Sequence, residues 1–93
     1  MITAKRGLFE LGKIVATPGA MEHISLAFAR DVLGKHISGD YGDICAEDAT
    51  LNDHAVHDGG RILSAYITPA GVKIWVITEA DRSVTTFLLP DEY

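Results

Sequence analysis

The sequence predicts an α+β domain in which an antiparallel β-meander carries two helices on one face. Three observations lead there. From residue 61 onward, three runs rich in β-branched and aromatic residues, Ile62 to Thr68, Lys73 to Thr78 and Val84 to Leu89, are separated by turn-forming residues. Before them lie two stretches with helical spacing and recognisable start and stop residues. Ahead of both, Leu8 to Thr17 carries Phe9, Leu11, Ile14 and Val15, a pattern that suits a first strand bent at Gly12. The order β, α, α, β, β, β gives two layers around one core. With 93 residues, 47% hydrophobic and 23% charged, a single domain spanning 1–93 is expected.

Thr17 followed by Pro18 marks the first helix start, because threonine caps free amides and proline is tolerated at the first helical position. Met21, Ile24 and Phe28 recur at helical spacing, Leu26, Ala29 and Leu33 widen the apolar side, and Gly34 is the expected stop near Leu33. Ser25 can divide this helix in two by capping a second piece. His36 to Asp43 reads as an ordered loop, rich in glycine and aspartate around Tyr41. Asp43 or Cys45 then leads into the second helix, with Leu51, Ala55 and Val56 as its narrow apolar side and Gly59–Gly60 as its end.

In the meander, Thr68-Pro-Ala-Gly71 supplies the first turn and the polar stretch Glu79 to Ser83 the second connection. Pro90 stops the last strand, since proline cannot donate to a ladder, and a short polar tail follows. Sequence alone does not give the strand order.

The formal net charge is −5, unfavourable for a broad grip on nucleic acid, which relies on clustered Lys and Arg. No Lys or Arg lies between Lys35 and Arg61, whereas Asp40, Asp43, Glu47, Asp48, Asp53 and Asp58 fall there. A charge run is ordinarily a solvated helix face; the functional alternative is a protein-binding surface. The lone Cys45 excludes an internal disulfide, no secretory leader pattern opens the sequence, and no apolar stretch approaches the ~20 residues of a membrane span. A cytoplasmic protein with no membrane or direct nucleic-acid partner and no cofactor is expected.

The phrases Ser38-Gly-Asp-Tyr-Gly-Asp43, Arg61-Ile-Leu-Ser-Ala-Tyr66 and the run from Trp75 to Tyr93 resemble a family of short uncharacterised proteins of bacterial mobile elements, across nearly the whole chain. Such proteins are often labelled plasmid-related or, loosely, a type I restriction methylation subunit. A methyltransferase needs a glycine-rich cofactor loop after a strand of a parallel sheet, and no such motif is present here. The resemblance implies a small phage or plasmid protein that binds host machinery, such as an anti-CRISPR or antirestriction protein acting on a defence nuclease complex. Its acidic residues Asp40, Asp43, Glu47, Asp48 and Asp53 then form the partner surface. Trp75, in the central hairpin, joins them if its side of the sheet is open, because Trp and Tyr are enriched at binding hot spots. A homodimer is compatible with the same pattern.

The alternative class is an enzyme. His36, Arg61, Tyr66, Arg82 and Thr86, together with Ser64 and Thr85, resemble in type the residues of small metal-independent ribonucleases of the barnase, EndoU and RelE kind, where a helix precedes a meander. That reading requires His36 to share one cleft with Arg82 or Arg61; the expectation is that His36 and Arg82 lie on opposite faces. His54 and His57, three apart on one helix, lack the companions of a zinc site, and Cys45 lacks local signs of activation. The serines lie outside any G-x-S-x-G elbow.

Overall fold

The switch to period-two patterning after Gly60 produces three consecutive strands: β2 (Ile62–Ile67), β3 (Lys73–Thr78) and β4 (Val84–Leu88). The computed structural model describes residues 7–93. β2 pairs antiparallel with β3 and β3 with β4, placing Ala65 beside Trp75, Val76 beside Phe87 and Thr78 beside Thr85. This is the expected meander. The first strand, β1 (Lys13–Ala16), adds to the far side of β4 in parallel register, Ile14 beside Thr85 and Ala16 beside Phe87. The sheet order is therefore β1-β4-β3-β2, and the fold is α+β with a mixed sheet.

β1 is shorter than the sequence pattern suggests. The chain turns at Gly12, where it runs against the carbonyls of Arg82 and Ser83, so Phe9 and Leu11 leave the strand. Phe9 instead packs with Tyr41, Ala55 and Ile62.

Thr17 caps α1 (Pro18–Met21) by accepting from Ala20 N–H. Ser25 then caps α2 (Leu26–Ile37), accepting from Phe28 N–H at 3.0 Å, so the break at Ser25 is real. α2 passes through Gly34 and ends at Ser38, one turn later than expected. Gly34 is exposed with open space around it, and nothing there compels the chain to leave the helix. That extra turn carries His36 over the sheet.

α3 (Ala46–Asp58) starts after Cys45 and stops at Gly59, whose φ of 82° is left-handed. Its buried side differs from the expected Leu51–Ala55–Val56 stripe. Leu51 is 65% exposed, while Asn52 and Ala55 are buried.

Alternation along the strands gives the sheet two unlike faces. One carries Tyr66, Ile74, Val76 and Phe87, packed against Val32, Phe28, Ala29 and Leu33 of α2. The other carries Leu63, Ala65, Trp75, Ile77, Thr86 and Leu88, none of which belongs to either packed cluster. Across this outer face, among the described residues, runs a C-terminal 3₁₀ turn, Pro90–Glu92. Among the described residues no helix is long and apolar enough to cross a membrane.

Candidate functional site

Three of the candidate catalytic residues, His36, Ser64 and Thr85, converge inside the protein. His36, 0% exposed, points from the last turn of α2 onto the inner face of the sheet, where register brings Ser64, Thr78 and Thr85 together. His36 Nδ1 lies 2.5 Å from Ser64 Oγ and Nε2 lies 2.9 Å from Thr78 Oγ1. Thr78 and Thr85 hydroxyls are 2.7 Å apart, and Thr85 donates to the Leu11 carbonyl at 2.7 Å.

Proton counting fixes the direction of this chain. Leu11 C=O can only accept, so the single Thr85 proton is spent there, and Thr78 must donate to Thr85. Thr78 therefore accepts from His36 Nε2–H, which leaves Nδ1 to accept from Ser64. The imidazole is the neutral Nε2–H tautomer. Burial lowers its pKa from 6.5 to about 4, and a second ring proton would also confront the Ser64 hydroxyl with its own donor.

A serine donating to a histidine is also the arrangement of an activated nucleophile. Here both residues are wholly buried and every hydrogen bond is internal, so no substrate atom reaches them. Phe9 seals the cluster, its ring edge-on to the imidazole with centroids 5.1 Å apart.

The remaining residues of the nuclease reading do not gather at His36. Arg82 also packs on Phe9, its guanidinium 5.6 Å from the ring centroid. His36 and Arg82 thus both contact the Phe9 ring, and His36, wholly buried, opens onto no cleft that Arg82 could line. Arg82 donates to the carbonyls of Ala55, Gly60 and Glu79, tying the end of α3 to the β3–β4 turn. Tyr66 is buried and donates to Asp40 C=O at 2.8 Å, and burial raises its pKa. Thr86 lies on the outer face, on the opposite side of the sheet from His36. Arg61 bonds the Tyr93 hydroxyl and pairs with Glu79 at 3.6 Å.

The outer face offers what the interior does not. Trp75, half-buried at its centre, meets the Tyr93 ring edge-on at 5.8 Å, and Tyr93 in turn lies under the Arg61 guanidinium. Lys73 projects from the same face and pairs with Asp43 at 3.4 Å, linking this aromatic centre to the acidic segment. Asp40, Asp43, Glu47, Asp48 and Asp53 are all exposed. Three of them have internal work: Asp40 accepts from Gly42 N–H, Asp43 pairs with Lys73, and Asp53 accepts from the Tyr41 hydroxyl. Glu47 and Asp48 occupy the first turn of α3, where the helix dipole favours them; among the described residues they form no ion pair.

Two residues carry more than their sequence context announces. Asn52 sits in an acidic helix yet is buried, bonding β2, and Tyr93 belongs to a tail that reads as short and polar. Glu92 anchors that tail, its carboxylate accepting from Thr17 Oγ1 at 2.6 Å, Leu89 N–H and Gly19 N–H. A Pro-Asp-Glu turn signal was available for the second; nothing local marks the first. His54 and His57 are exposed on α3, and no group of three His, Cys, Asp or Glu residues able to hold a metal ion lies together among the described residues. No family model matches the chain, and neither a curated protein nor a solved structure matches it.

Proposed function

We propose that this is a non-enzymatic binding protein of phage or plasmid origin that occludes a host defence nuclease complex, using the sheet face around Trp75 with the acidic segment from Asp40 to Asp53 beside it. The observation that carries this reading is the Trp75–Tyr93–Arg61 arrangement on a sheet face that, among the described residues, no α-helix packs against and the C-terminal 3₁₀ turn crosses. A partly exposed tryptophan ringed by an aromatic and an arginine has the make-up of a binding hot spot. Lys73–Asp43 connects it to carboxylates that suit a surface shaped to hold nucleic acid. The buried state of His36 and Ser64 supports a non-catalytic role.

The test is protection. Cells expressing the protein, challenged with phage or plasmid under restriction or CRISPR attack, should show higher survival of the invading DNA. Trp75→Ala should remove protection while leaving the folded content unchanged. Glu47→Lys with Asp48→Lys should weaken it, with a larger effect on binding at low salt. No protection against any restriction or CRISPR system, or protection indifferent to Trp75, would sink the reading.

A further inference from the structure

The two edges of the sheet are finished differently. On β2, the outward-facing groups of Leu63 are occupied by the Asn52 side chain, and those of Ala65 by Tyr41 C=O and Asp43 N–H. This edge is closed to further strands. On β1, Lys13 and Thr17 direct their amides to β4, so by strand alternation the N–H and C=O groups of Ile14 and Ala16 face away from the sheet. Beside that edge, between β1 and the start of α2, lies a groove of about 340 Å³ lined by Ile14, Ala16, Met21, Leu26 and Phe87. Ile14, Met21 and Leu26 are 49%, 62% and 68% exposed. Such a concentration of exposed aliphatics beside backbone groups with no partner among the described residues is uncommon on a protein that stays alone.

We infer that β1 is the pairing edge of a homodimer, joining a second copy of this chain in antiparallel fashion to make one continuous eight-stranded sheet. A two-fold axis passing beside Val15 sets Ile14 of one copy against Ala16 of the other. The outward groups of both residues then form four hydrogen bonds. The register is self-complementary in shape, because the large exposed Ile14 faces the small Ala16 in the partner's groove. It is also complementary in charge. Lys13 comes opposite Thr17 of the second copy, whose hydroxyl holds the Glu92 carboxylate; Lys13 has no ion pair among the described residues, and symmetry provides the contact twice. The two Lys13 side chains are kept apart by the antiparallel arrangement. This dimer leaves the Trp75 centre on the outer face free, and is independent of the binding role proposed above.

Light scattering on the purified protein should give twice its 10.0 kDa mass. Ala16→Pro deletes an amide that serves no bond to β4, and Lys13→Glu sets like charges opposite each other; each should shift the mass to the monomer with an unchanged circular dichroism spectrum. In a Cys45→Ser background, Val15→Cys should cross-link to a disulfide dimer, since residue 15 faces its own symmetry mate, while Ile67→Cys on the closed edge should not. A monomer at the highest soluble concentration would overturn the inference. So would a dimer that survives Ala16→Pro and fails to cross-link through Val15→Cys, or an edge that takes up an unrelated extended peptide but not a second copy.

Discussion

The Asn52 side chain completes the β2 ladder at Leu63: its carbonyl oxygen accepts from Leu63 N–H at 3.0 Å, and its amide donates to Leu63 C=O at 2.7 Å. A single side chain thus stands in for a neighbouring strand's peptide group, and it fastens α3 to the sheet. Asn52→Ala leaves one donor and one acceptor without partners in a half-enclosed place, at a cost of roughly 2 to 4 kcal/mol. Urea unfolding should show that loss, whereas Asp53→Asn, one residue along on the exposed side, should change stability by less than about 1 kcal/mol.

His36 makes stability depend on acidity. The unfolded chain takes up a proton on this residue near pH 6.5, whereas the folded protein resists until about 4. The contribution is therefore complete above pH 6.5 and is lost as pH falls towards 4, on the order of 3 kcal/mol in all. His36→Gln offers an amide donor to Thr78 and a carbonyl acceptor to Ser64. It should keep the fold and flatten this part of the pH profile. Parallel profiles for the two proteins between pH 6.5 and 4 would show that His36 is not the titrating group.

Arg82 has a φ of 60°, the one positive value outside glycine among the described residues. Arg82→Gly keeps that backbone geometry and loses the three carbonyl contacts, whereas Arg82→Ala loses the contacts and keeps the strain. Thermal unfolding should rank wild type above Gly and Gly above Ala, with the Gly–Ala gap about 1 kcal/mol. An alanine variant as stable as the glycine variant would contradict the backbone account.

Gly42 combines a φ of +75° with the closest approach to β2, bridging to Ala65. A Cβ there would collide with the Ala65 carbonyl oxygen and the Tyr66 ring. Gly42→Ala should cost at least about 3 kcal/mol, adding the left-handed penalty to the clash. Gly71→Ala, with a similar φ but open space around it, should cost only about 1 to 2 kcal/mol.

What the sequence made legible is local. Both ends of β3, the break at Ser25, the start of α3 to within the choice of Asp43 or Cys45, and its stop at Gly59 follow from residues acting within a turn of themselves. The failures share a different cause. Residue type alone misplaces Gly34 and Leu51: a glycine in open space does not by itself end a helix, and an aliphatic side chain on α3 is buried only where another segment covers it. His36 faces inward only because Ser64, Thr78 and Thr85 arrive in register beneath it. Asn52 is buried only because an edge strand needs its ladder completed, and no spacing in α3 announces that. The parallel partnership of β1 with β4 spans nearly the whole chain. Of the proposed site, Trp75 stands out in the sequence by residue type, while the placement of Tyr93 and Arg61 beside it comes only from the fold.

The pairing of β1 with β4 also sets an order of events during synthesis. β2, β3 and β4 meet through short connections and can associate as each leaves the ribosome, but residues 13–16 have no sheet partner until residues 84–87 have emerged. β1 must wait for β4, and closing so long a loop is slow relative to hairpin formation. Until residues 84–87 have emerged, β3 has an open edge where β4 belongs, and the nascent chain carries an apolar Ile14–Val15–Ala16 segment with nowhere to dock. A chain released or stalled before residues 84–87 emerge holds only the β2–β3 hairpin, with β1 and the β3 edge both unpaired, a species prone to recruit strands from neighbouring chains.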